Sequence, residues 1–197
     1  MATQLSIVNQ ALRFLGQAQV DLLSQSDSIT TLAKSSWDGV VEWCLRCHAW
    51  SHRQKWASLA REVEDPPFSF KASFAVPADC LYIIDIRESE DLTEEGEEFA
   101  LVGMHIYTNI ERCLCRYVVK DIDPSFWPAD FCELVAYKLA LEMAATMVPA
   151  DSAIKNALFQ QMQIGLDIAR ANDFSSNKLP DLNQEKKCSL LVKRFGG

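Results

Sequence analysis

The chain has 197 residues, 49% of them hydrophobic and 23% charged, enough for one sizeable domain or two small ones sharing a core. Its net charge of −8 argues against a protein that grips nucleic acid through a basic stripe, although an acidic wall would let DNA slide past. The opening Met-Ala-Thr-Gln gives no expectation of a secretory signal, no run is long enough to span a membrane, and seven scattered cysteines suggest reduced thiols in a cytosol.

Thr3 is placed to cap a first helix with Leu5, Val8, Leu12 and Leu15 on one face, and Gly16 fits its stop. A polar loop leads to a second helix, capped by Ser28 and running to about His48, with Ile29, Leu32, Trp37, Val40, Val41 and Cys44 at helical spacing. Gly39 inside it costs about 1 kcal/mol relative to alanine. The period then changes. From Phe68 to Val76 large apolar residues alternate with small or polar ones, predicting a half-buried strand closed by Pro77. Leu81 to Arg87 reads as a second strand, and Phe99–Val102 with Met104–Thr108 as a hairpin turning near Gly103. Arg112 to Lys120 alternates again, with Cys113, Cys115, Tyr117 and Val119 on one face. Helical spacing returns after Asp123-Pro124. Ala129 to Val148 is apolar on nearly every side, the mark of a helix buried between others, and Asp151 or Ser152 caps a fourth helix carrying Ile154, Leu158, Met162, Gly165 and Ala169.

The expected fold class is α+β: an antiparallel-type four-helix bundle over 1–65 and 121–173, interrupted by a small β-module over 66–120, with an extended C-terminal tail over 174–197. The tail ends in Leu190, Leu191, Val192, Lys193, Arg194 and Phe195, too apolar to rest in water and too short for a core. Leu190, Leu191, Lys193, Arg194 and Phe195 are therefore candidate partner-interface residues. Glu88, Glu90, Asp91, Glu94, Glu95, Glu97 and Glu98 read as an exposed acidic turn, since the flanks are strands and calcium-hand spacing is absent.

Cys44-Leu45-Arg46-Cys47-His48 matches the pattern for covalent haem attachment, in which two thioethers and an axial imidazole hold the iron. Cys44 and Cys47 could also join Cys113 and Cys115 around zinc. Both have a plainer explanation, because free cysteines are common core residues at helical positions and Cys113 and Cys115, two apart on a strand, share its buried side. No catalytic serine, zinc-protease, P-loop or dinucleotide-binding pattern occurs, and His48, His52 and His105 show no spacing that assembles a base with a nucleophile. The residues therefore support no enzyme, catalytic residue, metal or cofactor. A metal- or haem-binding protein using Cys44, Cys47 and His48 is the alternative, and a peptidoglycan hydrolase built on acidic residues is a third reading.

Several segments, taken in order, resemble the tail tubular protein A or head–tail connector adaptor family of short-tailed bacteriophages. These are Ile7-Val8-Asn9-Gln10-Ala11-Leu12 with Leu15-Gly16; His48-Ala49-Trp50; Phe74-Ala75-Val76-Pro77-Ala78-Asp79-Cys80-Leu81; and Tyr117 followed by Asp123-Pro124-Ser125-Phe126-Trp127-Pro128 and Phe131. Ala49 stands where the family pattern has proline. The resemblance implies a structural virion protein assembled in the host bacterial cytoplasm. It would form a closed ring of about twelve copies, a dodecamer, between the portal protein and the tail nozzle or tube. Double-stranded DNA would pass through its channel during ejection without specific binding, and no membrane would be involved.

Overall fold

The computed structural model describes residues 2–24, 27–64, 66, 69–91, 95–148 and 150–176. Helix α1, Gln4–Phe14, begins in a reciprocal cap, where the Thr3 hydroxyl accepts Ser6 N at 3.1 Å and Ser6 Oγ accepts Thr3 N at 3.0 Å. It ends where Gly16 takes φ +67° and the amides of Gly16 and Gln17 reach back to the carbonyls of Arg13 and Leu12. The Asn9 side chain then clamps the following loop, exchanging two 2.9 Å hydrogen bonds with the Val20 backbone.

Helix α2, Ser28–Arg46, is capped by Asp27 and not by Ser28: Oδ1 accepts Thr30 N at 2.9 Å and Oδ2 accepts the Thr30 hydroxyl at 2.7 Å. Helix α3, Ala129–Met147, is buried as its all-round apolar sequence predicts, with Phe131, Leu134, Val135, Leu139 and Met143 inaccessible. Helix α4, Ser152–Ser176, starts with Asp151 Oδ1 accepting Ile154 N at 2.9 Å.

Six strands follow in chain order: β1 (Gln54–Leu59), β2 (Ala72–Ala75), β3 (Cys80–Arg87), β4 (Phe99–Val102), β5 (His105–Thr108) and β6 (Cys113–Val119). They form two separate three-stranded antiparallel sheets, ordered β1-β6-β3 and β2-β5-β4. The strand expected from Phe68 is shorter in the fold: β2 begins only at Ala72, residues 69–71 are irregular, and residue 68 lies outside the described residues. The β4–β5 hairpin turns at Gly103, φ +62°, as its sequence predicts.

The expected four-helix bundle interrupted by a small β-module is not what the chain forms. The α+β class stands, but α1, α2 and α4 each pack on α3, and the strands make two sheets with a core of their own. One core joins the helices to Leu81 and Val118 of the first sheet. The other lies between the sheets and holds Phe74, Ile86, Ile106, Cys113, Cys115 and Tyr117. The arrangement is therefore layered, helices on sheet on sheet, because period-2 alternation in β6 points Val118 one way and Tyr117 the other. Strand β1 is the element that the sequence conceals. Its largest apolar residue, Trp56, faces outward at 42% exposure, so the hydrophobic alternation is inverted.

Candidate functional site

Two of the segments that carry the phage-adaptor resemblance, His48-Ala49-Trp50 and Asp123 to Phe131, meet where the helices join the first sheet. After α2 the chain turns through His48-Ala49-Trp50 into a short 3-10 turn, Ser51–Arg53. Trp50 is buried, donates from its indole nitrogen to Cys44 O at 2.9 Å, and meets Phe131 edge-on at 5.1 Å. Phe131 also meets Trp127 edge-on at 5.0 Å, and Trp127 stacks on Trp37 at 6.0 Å. Arg53, buried at this junction, donates to Asp121 Oδ2 at 2.7 Å and to Asp123 O at 2.9 Å, with its guanidinium 5.9 Å from the Trp127 ring centre. The ion pair thus ties the start of β1 to the Asp123-Pro124 stop.

A second knot fixes the corner between β2 and β3. Asp79 accepts the Tyr117 hydroxyl and the Lys55 ammonium, both at 2.9 Å, and its carbonyl accepts Lys120 N at 2.7 Å. The Lys55 hydrogen bond, followed by that of Tyr117, holds the Asp79 carboxyl below its usual range.

The third knot holds the end of α4. Asp173 accepts the Ser51 hydroxyl at 2.6 Å and Ser51 N at 3.0 Å, and lies 3.1 Å from His48 Nε2. Arg170 donates to Cys47 O at 2.5 Å, and Asn172 donates to Asp130 at 2.9 Å. This trio contains a serine, a histidine and an aspartate, but the carboxylate sits between the other two. A catalytic serine needs the imidazole against its hydroxyl and the carboxylate behind the imidazole; here Ser51 donates directly to Asp173. The arrangement is a tether. His52 packs beside it, edge-on to Phe131 at 5.0 Å, and burial pushes its imidazole down to about 4.

The haem-like motif is not assembled as a site. Cys44 is fully buried in the helical core, Cys47 is half-buried with its carbonyl taken by Arg170, and His48 is turned to Asp173. Cys113 and Cys115 lie in the other core, between the sheets, so the combined zinc set is split across two cores. Burial pushes the Cys113 thiol up to about 11 and Cys115 to about 12. Among the described residues no three His, Cys, Asp or Glu side chains are grouped to hold a metal, and no helix is long and apolar enough to cross a membrane.

In the acidic turn, Glu88, Glu90, Asp91, Glu95, Glu97 and Glu98 are exposed, while Glu94 lies outside the described residues. The turn is nonetheless pinned at both ends. Glu88 Oε1 accepts Glu111 N at 3.0 Å, Glu90 pairs with Arg112 at 3.0 Å, and Glu97 N donates to Ile86 O at 2.8 Å. Leu190, Leu191, Lys193, Arg194 and Phe195, the proposed partner residues, also lie outside the described residues.

Two surface features escape sequence reading. Along α4, Phe159, Ile164, Ile168 and Phe174 are each more than half exposed, and Asp167 is the one charged residue among its exposed positions from 152 to 175. Helical periodicity could have shown that these apolar residues point outward, spread over the exposed side of α4 among Gln160, Gln161, Gln163 and Asn172. On the first sheet, Trp56 lies 5.9 Å from the Arg87 guanidinium and 5.7 Å from that of Arg116, a cross-strand ladder that register alone reveals. No family model matches the chain, and no curated protein matches it.

Proposed function

We propose that this chain is a structural subunit of a phage head-to-tail adaptor ring, joining the portal to the tail nozzle or tube and lining the DNA ejection channel. The observation that carries the proposal is the order and spacing of the resembling segments, from Ile7-Val8-Asn9 to Phe131. The structure supports it indirectly. Trp50, Arg53, Asp123, Trp127 and Phe131 pack and pair at the junction of helices and first sheet, and Asp79 fixes the corner between β2 and β3, as expected of a protein whose work is shape. The charge-poor outer face of α4 has the composition of a subunit contact, where charged residues are depleted. Exposed carboxylates from Glu88 to Glu98 would repel phosphates if they faced a channel.

In this reading the protein has no catalytic duty, needs no cofactor, and acts as a closed ring of about twelve copies. The test is localisation in purified virions by antibody labelling and electron microscopy. Label at the single head–tail vertex is expected. A protein absent from virions, or found only in infected-cell lysate, would overturn the reading.

A further inference from the structure

Among the described residues, no strand pairs with the outer edge of β4 in the second sheet. Its order, β2-β5-β4, places Phe99–Val102 at the outside. Val102 and His105 flank the two-residue turn and so form the pair that exchanges main-chain hydrogen bonds. By alternation, the N–H and C=O groups of Leu101 and Phe99 point away from β5. Leu101 and Val102 are 52% and 55% exposed.

Proteins usually blunt such an edge with a charge, a proline or a covering segment. The stretch Phe99-Ala-Leu-Val-Gly-Met104 carries neither charge nor proline. The opposite edge, β2, is approached by Arg61, bridged to Phe74, and by Glu62 N, which donates to Ser73 O at 2.9 Å. Immediately before β4 stand exposed Glu95, Glu97 and Glu98. A strand added here must therefore be apolar where it meets Leu101 and Val102, and basic where it passes the glutamates.

We propose that β4 is a strand-addition site, and that its occupant is Leu190-Leu191-Val192-Lys193-Arg194-Phe195 of a second copy of this chain. That segment lies outside the described residues, and its sequence alone defines it as the occupant. Laid antiparallel with Leu191 opposite Leu101, the segment sets Leu190 against Val102 and Arg194 against Glu98, with Lys193 one step inward. Leu190, Leu191 and Val192 then meet Val102, Leu101 and Ala100, and Arg194 meets Glu98, while Lys193 falls beside Phe99 and Phe195 beside Glu97; each copy gives one segment and receives another, the head-to-tail pattern that closes rings. The inference takes its second copy from the ring reading, but its measurement does not depend on virion or portal.

The experiment uses full-length protein. Differently tagged chains, one with Leu101→Cys and one with Leu191→Cys, are mixed and oxidised mildly; a mixed disulfide absent from either chain alone is expected. In parallel, self-association is measured by analytical ultracentrifugation for Lys193→Glu/Arg194→Glu, for Glu97→Lys/Glu98→Lys, and for the combination. Each reversal is expected to weaken association roughly tenfold, and the combination to restore it, because opposed charges are exchanged. Failure of the combination to restore association, or absence of the mixed disulfide, would overturn the proposal. A crosslink confined to the monomer mass in a doubly substituted chain would overturn the assignment to a second copy. A positive trap in a chain that virions lack would leave this inference standing while removing the adaptor reading.

Discussion

Asp173 accepts the Ser51 hydroxyl at 2.6 Å across 122 residues of sequence, so the last turns of α4 are fastened to the point where α2 hands over to β1. The carboxylate is 9% exposed and has two further neighbours, Ser51 N and His48 Nε2. Removing it leaves the half-buried Ser51 and His48 donors without an acceptor. Asp173→Ala should destabilise the fold by about 2 kcal/mol, as expected for a lost charged hydrogen-bond acceptor. Urea unfolding gives the value, and hydrogen exchange should rise first in the amides of residues 170–176. A loss below about 0.5 kcal/mol would show that the tether is dispensable.

Stability should fall with acid through His52. Burial holds its folded-state pKa near 4, below the 6.5 of an exposed histidine. The unfolded chain therefore binds the proton first as pH drops. The histidine's contribution is fully present above about 6.5 and is lost progressively between 6.5 and 4. Allowing for solvent screening of a partly buried ring, the loss is roughly 1–2 kcal/mol. His52→Phe should flatten the slope of unfolding free energy between pH 6.5 and 5, a range above the carboxylate titrations. An unchanged slope would place the acid sensitivity elsewhere.

The thiols should divide by burial. Cys44, Cys113 and Cys115 are inaccessible, whereas Cys47 and Cys80 are half-buried. Under native conditions at neutral pH, a maleimide should label Cys47 and Cys80 ahead of the other three. Peptide mass spectrometry reads the order. Rapid labelling of Cys44 would show that the helical core opens and would return the haem-like motif to consideration.

Two glycines should respond with opposite signs to alanine. Gly103 holds φ +62° in the hairpin turn, with open space where a Cβ would go, so Gly103→Ala pays only the backbone penalty, about 1 kcal/mol. Gly39 lies inside α2 with nothing near its added Cβ, so Gly39→Ala should stabilise by up to about 1 kcal/mol. Thermal melts of the two variants check both signs at once.

The helices and most strands were legible because their apolar periods agree with the faces they bury. Thr3, Gly16, Gly103 and the apolar run of α3 each act in the fold as their chemistry suggests. Layering was not legible. Strand β1 hides behind Trp56, whose ring rests beside two arginines from other strands, and without β1 the strands look like one small insertion instead of two sheets. The cap of α2 moved by one residue because Asp27 and Ser28 are both good caps, and Thr30 offers its amide and hydroxyl to Asp27. The tether at Asp173 was equally hidden, since nothing in a single sequence links it to Ser51. The acidic turn showed its charge but not its anchors on β3 and Glu111.

Mass photometry of the purified protein mixed with phage portal rings tests the proposed adaptor ring most directly. The expected result is a discrete complex heavier than the portal by about twelve subunits, saturable and without intermediate forms at excess subunit. A portal mass that stays unchanged at saturating protein would contradict it.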